Sequence, residues 1–162
     1  VQSFLMVAEL TVCQALNEVM EELRNRFDPQ GFARLKQRIA IEMAEIAARL
    51  HRAKMFHKDL YLCHFFLDVE RVLQNPCDVR LILIDLHRLE EHKFWADRWR
   101  WKDLGQLLFS TYGVPGIGAR DRLRFWKHYR RAVALKSSAW HARMIGLKAE
   151  RYLAHNRGAE SS

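Results

Sequence analysis

Between Asp28 and Lys54 the chain repeats apolar residues at helical spacing for about five turns. Phe32, Leu35, Ile39, Met43, Ile46 and Leu50 follow one another at intervals of 3, 4, 4, 3 and 4. That rhythm places all six on one face of an α-helix. Ala40, Ala44, Ala47 and Ala48 accompany the stripe and let neighbouring elements approach closely. Asp28 stands where a cap is needed and Pro29 suits the first turn. The pattern predicts a long, mostly buried helix ending near Lys54, one that several other elements must cover.

The remaining signals supply that cover. Ser3 to Val7 reads as a short strand or extended segment. Thr11 to Arg26 reads as a helix with Leu16, Val19, Met20 and Leu23 on one face. Phe65 to Val69 and Leu81 to Leu86 read as two strands of a hairpin, with Asn75-Pro76 as a turn signal between them. Helices are predicted over Trp99 to Tyr112, Arg120 to Leu135 and Ser137 to His155. "YGVPGIGA" separates the first two, and Ser137-Ser138 is placed to cap the last. Three prolines and seven glycines in 162 residues leave no room for a long flexible linker. The expectation is one domain over residues 1–157 with a polar tail at 158–162, mainly α with a small β hairpin (class α+β).

Charge narrows the choice of partners. The chain carries 27 Lys and Arg against 19 Asp and Glu, a net +8. From Gly118 to Gly158 eleven basic residues face only two acids. Such a segment attracts anionic lipid headgroups or other polyanions, or is simply a solvated basic face. No nucleic-acid recognition motif accompanies it, so a nucleic-acid partner is not expected. Cys13, Cys63 and Cys77 are odd in number and lack CxxC spacing, which argues for a reducing compartment. Cys63, His64 and Cys77 fit no common structural zinc spacing. No apolar run approaches the length of a bilayer span. The chain opens without Met, directly into "SFLMVAEL", and a preceding segment is expected.

Two stretches set aspartates inside apolar sequence: "FHKDLYLCHFFLD" at 56–68 and "LILIDLHRLE" at 81–90. Phosphoryl transfer needs such a pair. One carboxylate orients the attacking hydroxyl and takes its proton, and a second holds magnesium on the nucleotide phosphates. Protein kinases place the first in an H-R-D motif, with an Asn five residues after the Asp, and the second in D-F-G. Here His57-Lys58-Asp59 is followed by His64, five residues after the Asp, and Asp85 ends the strand "LILI". The 26 positions from Asp59 to Asp85 leave room for one hairpin.

"HKDLYLCHFFL" with "LILIDLHRLE" resembles the lipopolysaccharide core heptose kinase family, the Kdo/WaaP-type group with a protein-kinase-like fold. In that family His commonly replaces the kinase-loop Asn, and I-D-L-x-R stands in for D-F-G. "RWKDLGQLLFS" is similar to the family's next helix, and "SFLMVAEL" to its hinge. The resemblance covers Ser3 to about Ser110. It implies a C-terminal lobe: a hinge at 1–10, two helices at 11–54, a catalytic loop and metal-binding hairpin at 55–90, and a helical subdomain at 98–157, with the N-terminal lobe absent from the chain.

For the residues, the resemblance implies Asp59 as catalytic base, with His57 supporting the loop and Lys58 placed to neutralise phosphate charge. Asp85 would bind magnesium. His64 would sit against either the metal or a phosphate. Ala8, Glu9 and Leu10 would meet the adenine, and Asp103 would brace the loop. The implied activity is ATP-dependent phosphorylation of a heptose or Kdo hydroxyl on a lipid-linked core oligosaccharide, at the cytoplasmic face of the inner membrane. Arg120, Arg122, Arg124, Lys127, Arg130 and Arg131 would contact anionic headgroups there. No G-x-G-x-x-G occurs in the chain, so it alone is expected to bind ATP weakly and to show little or no activity. The alternatives are a kinase-like enzyme with another small-molecule or protein acceptor, and a non-catalytic kinase-like scaffold.

Overall fold

A computed structural model describes residues 13–160. The elements run β1 (Cys13–Ala15), α1 (Leu16–Arg26), α2 (Pro29–Arg52), β2 (Met55–Phe56), β3 (Phe65–Asp68), α3 (Val69–Gln74), β4 (Leu81–Leu83), β5 (Glu90–Glu91), α4 (Ala96–Ser110), α5 (Ala119–Ala132) and α6 (Ser138–Glu160). Helices dominate, and the strands form two small antiparallel sheets, ordered β1-β3-β4 and β2-β5.

Helix α2 is the centre of the molecule. Asp28 accepts hydrogen bonds from the Gln30 and Gly31 amides, both at 2.9 Å. These bonds hold its carboxyl below the usual range, the Gly31 bond contributing most. Phe32, Leu35, Ile39, Met43 and Ile46 are buried, as are all four alanines of the stripe; Leu50 is half-buried. Helix α5 packs along α2, and α6 packs along α4. The 113–118 loop is pinned between them. Gly116 has φ +82°, and a Cβ there would come within 2.9 Å of the Phe32 ring. Its carbonyl accepts from Lys36 Nζ at 2.8 Å, and the same ammonium pairs with Asp121 at 2.8 Å.

Three sequence expectations need correction. The helix expected from Thr11 begins at Leu16, because Cys13–Ala15 pairs with Asp68–Phe66 of β3 instead. The expected hairpin does pair, Phe65 with Leu83 and Leu67 with Leu81. Its connection, however, holds the short helix α3, capped by Asp68 accepting from the Arg71 amide at 3.0 Å. The second strand stops at Leu83 rather than Leu86, since Asp85 leaves extended geometry for φ 60°, ψ 44°. The Ser3–Val7 strand and the 1–10 hinge lie outside the described residues.

Candidate active site

The loop from β2 to β3 carries His57, Lys58, Asp59 and His64, and the segment after β4 carries Asp85 and Arg88. Two bonds tie these pieces together. His57 Nε2–H donates to the Ile84 carbonyl at 3.0 Å, and the Ile84 amide donates to the His64 carbonyl at 3.0 Å. Asp59 and Asp85 are thereby fixed relative to each other by their immediate neighbours.

His64 lies between the two aspartates. Its Nδ1 is 2.7 Å from the Asp59 carbonyl oxygen, which can only accept, so Nδ1 carries the hydrogen. Nε2 then faces Asp85 Oδ2 at 3.5 Å. A bare imidazole lone pair against a carboxylate is repulsive, and a cation held between them relieves it. The imidazole also stacks on His57, centroids 5.4 Å apart. The other Asp85 oxygen is engaged by His87 Nδ1.

Three donors surround the Asp59 carboxylate. Arg88 bonds Oδ2, Gln106 Nε2 donates to Oδ1 at 3.3 Å, and Lys102 Nζ stands 3.9 Å from Oδ1 while also donating to the Lys58 carbonyl. Burial pulls the Lys102 ammonium below its usual range, opposed by the Asp59 and Asp103 carboxylates. These contacts hold the Asp59 carboxylate in one orientation at the mouth of the loop. Sequence reasoning gave no role to Arg88, Lys102 or Gln106. The available signal was Lys102 and Gln106 at i, i+4, one face of the helix that also bears Asp103.

Lys58 does not turn toward Asp59. It sits at φ 70°, and its ammonium bonds Glu90 at 2.8 Å and lies over the Trp99 ring at 5.3 Å. That bond is the main cause holding the Glu90 carboxyl below its ordinary value. His57 is fully buried, and its ring bonds the Ile84 carbonyl rather than facing the Asp59 carboxylate.

Beneath the loop is a buried polar chain. Asp103 accepts from the His57 amide at 2.9 Å and the Lys58 amide at 2.8 Å. His51 Nε2 reaches Asp103 at 3.2 Å, His51 Nδ1 lies 2.6 Å from the Tyr129 hydroxyl, and Arg100 Nε donates to that hydroxyl at 3.0 Å. One proton assignment satisfies every bond: Arg100 to Tyr129, Tyr129 to His51, His51 to Asp103. Burial drives the His51 imidazole below its usual value, outweighing the Asp103 hydrogen bond. The His51–Asp103 contact is therefore a hydrogen bond donated by neutral imidazole, not an ion pair.

A pH effect follows. Unfolded, His51 takes a proton near its ordinary value of about 6.5; folded, it resists until a lower pH. The stability this contributes is complete above about pH 6.5 and is lost as pH falls from there toward the depressed folded value, at up to roughly 1.4 kcal/mol per pH unit. Urea midpoints from pH 7.5 down to 5 should fall more steeply for the wild type than for His51→Gln. Equal slopes would contradict this account.

Magnesium takes oxygen ligands and commonly uses one or two carboxylates plus substrate phosphates and water. Asp85 with the facing His64 nitrogen fits a shared site of that kind. Among the described residues no group of three or more His, Cys, Asp and Glu side chains gathers to hold an ion by itself. Imidazole is a poor magnesium ligand, so Asp85 is the stronger donor. Cys63 and Cys77 are free and exposed. Ala8, Glu9 and Leu10 lie outside the described residues.

Known proteins share this arrangement's sequence and its fold. Residues 1–129 match the lipopolysaccharide kinase (Kdo/WaaP) family. The "lipopolysaccharide core heptose(I) kinase WaaP" of Pseudomonas aeruginosa is 36% identical over 129 residues, 80% of this chain and 46% of the relative. The protein of the same description from Escherichia coli K12 is 32% identical over 123 residues, 73% of this chain and 45% of the relative. The chain thus spans about half the length of the curated relatives it matches. A solved structure, "WaaP in complex with acyl carrier protein", superposes with a TM-score of 0.70 at 34% identity, over 88% of this chain and 58% of that one. With its H-K-D loop, facing histidine and I-D-L-H-R segment in this order, the chain belongs to the lipopolysaccharide kinase (Kdo/WaaP) family.

Proposed function

We propose that this chain is the C-terminal lobe of a kinase-like fold and carries the base and metal carboxylate of an ATP-dependent kinase. Its acceptor would be a sugar hydroxyl, of heptose or Kdo, on the lipopolysaccharide core. The observation carrying this reading is the placement of His64, bonded to the Asp59 backbone and facing Asp85 at 3.5 Å. In this reading Asp59 serves as base and Asp85 as metal carboxylate on either side of one imidazole, which suits the positioning on which phosphoryl transfer depends.

In the step, Asp59 accepts the proton of the acceptor hydroxyl. The hydroxyl oxygen forms a bond to the γ-phosphorus of ATP, the bond from that phosphorus to the bridging oxygen breaks, and ADP leaves with the electron pair. Asp85, with His64 beside it, would hold magnesium, whose chemistry is neutralisation of phosphate charge. Lys102 and Arg88 keep Asp59 oriented through direct contact with its carboxylate or loop.

The test is transfer of the labelled γ-phosphate of ATP to purified core oligosaccharide by the complete gene product, with the phosphorylated hydroxyl located by NMR. Transfer to a different small molecule or to protein, and none to the core, would favour another acceptor. No transfer to any acceptor would favour a non-catalytic scaffold.

Two contacts extend the reading. On α5, Arg120, Arg124, Lys127 and Arg131 recur at intervals of 4, 3 and 4 along one face, and Arg120, Lys127 and Arg131 are exposed. This stripe suits anionic headgroups at the cytoplasmic face of the inner membrane. No helix among the described residues is long and apolar enough to cross a membrane. An acyl carrier protein is a second partner by likeness to the solved neighbour. In support, an apolar cavity of about 230 Å³ lies among Ile39, Met43, Leu104, Leu107, Phe125 and Ile145. Salt-sensitive flotation with anionic vesicles tests the first contact, and capture of acyl carrier protein tests the second.

A further inference from the structure

Beside the catalytic loop, between Glu91 and Trp99, lies a second pocket of about 550 Å³. Phe94 and Trp95 stand on its rim, 82% and 81% exposed, where rings of this size are normally covered. Trp95 is held at φ 60°, ψ 30°, left-handed backbone that a bulky residue enters only at a cost. Below them the Trp99 indole stacks on His92 at 4.2 Å, nearly parallel, and carries the Lys58 ammonium. Lys58, whose ammonium lies over the Trp99 ring, directly precedes Asp59 in the chain.

The charges around these rings identify the ligand class. The charged side chains that line the pocket are of both signs, Lys93 and Arg98 against Glu91. An anionic membrane favours a patch of one sign, like that on α5. A neutral polyhydroxylated ring instead suits apolar faces beside interleaved donors and acceptors. Lys93 and Glu91 are both well exposed and 3.7 Å apart, too solvated for the pair to add much stability.

We propose that this pocket is a carbohydrate subsite, in which Phe94 and Trp95 pack against an acceptor sugar ring while Glu91 and Arg98 hydrogen-bond its hydroxyls. As an acceptor subsite it rests on the kinase reading above. The probe is delipidated core oligosaccharide, and the protein is the complete gene product. Binding is read by saturation-transfer NMR and kinetics by the acceptor KM. Phe94→Ala and Trp95→Ala should each weaken oligosaccharide binding roughly 3- to 10-fold and raise the acceptor KM in step, leaving the KM for ATP unchanged. Trp95→Tyr should restore most of the loss. Both side chains are exposed enough that an unchanged melting temperature is expected.

Oligosaccharide binding that survives both alanine substitutions overturns the proposal. So does loss of anionic-vesicle binding in the two variants with oligosaccharide binding intact. Wild-type protein that binds the oligosaccharide through Trp95 but transfers no phosphate to it would uphold the subsite and count against the kinase reading alone.

Discussion

Replacing Asp59 by Asn in the complete gene product should lower turnover by roughly 10²- to 10⁴-fold while leaving the fold intact. Asn keeps the shape of the side chain, and its carbonyl can still accept from Gln106, which lies 3.3 Å from Asp59 Oδ1. What it loses is the ability to take the acceptor's proton. The fold should tolerate the change because the Asp59 side chain is 20% exposed and its Arg88 partner is half exposed; ion pairs that reach solvent contribute little to stability. Arg88 loses its counter-charge but is half exposed, and Lys102 keeps its bond to the Lys58 carbonyl. The measurement is single-turnover phosphate transfer at saturating ATP, beside a melting curve. Unchanged turnover would remove Asp59 from its proposed role. A large drop in melting temperature would show instead that its contacts to Arg88 and Lys102 hold the loop.

The parts of this molecule that were readable in sequence are those whose physics is local. Helix α2 follows from a repeat of threes and fours, and its start from an Asp-Pro pair whose carboxylate caps the residues immediately after it. The Asn75-Pro76 turn is equally local: Asn75 accepts from the Cys77 amide through its side chain and from the Asp78 amide through its backbone. Strand β1 was not readable, because three residues carry no periodicity and their partner is Phe66 to Asp68. In isolation Cys13–Ala15 continues the pattern of α1, and only the distant β3 edge turns it into a strand.

The candidate site divides in the same way. The Asp59, His64 and Asp85 positions could be read from spacing, since they belong to two short stretches. Their donors could not. Arg88 meets Asp59 across 29 residues and Gln106 across 47, and Tyr129 meets His51 across 78. A tyrosine in "KHYRRA" looks like any amphipathic-helix residue, yet its hydroxyl is buried within the chain of bonds that runs from Arg100 to Asp103. Burial pushes that phenol above its usual range, so it remains a proton donor to His51 under all physiological conditions.

Removal of Asp103 should have a large structural effect. Its carboxylate is fully buried and accepts from the His57 amide, the Lys58 amide and His51. Asp103→Ala strands these three donors away from water. A buried donor left unpaired costs about 1–3 kcal/mol, so the sum is a large share of the roughly 5–15 kcal/mol that holds a domain together. Asp103→Asn is the more informative variant. If its carbonyl takes the Oδ2 place, it still accepts from His57 and His51, and its amide then points donor-to-donor at the Lys58 N–H. If it turns the other way, His51 must move its proton to Nδ1, and Tyr129, already accepting from Arg100, loses its acceptor. The first arrangement leaves a single mismatched bond and is the cheaper. Asn should therefore cost about 1–3 kcal/mol against a loss at least twice as large for Ala, with the displaced amide at Lys58, one residue from Asp59. Turnover in the Asn variant should then fall even at temperatures where it is fully folded, with circular dichroism checking the fold. An Asn variant that is folded and fully active would show that Asp103 stabilises the domain without positioning the base.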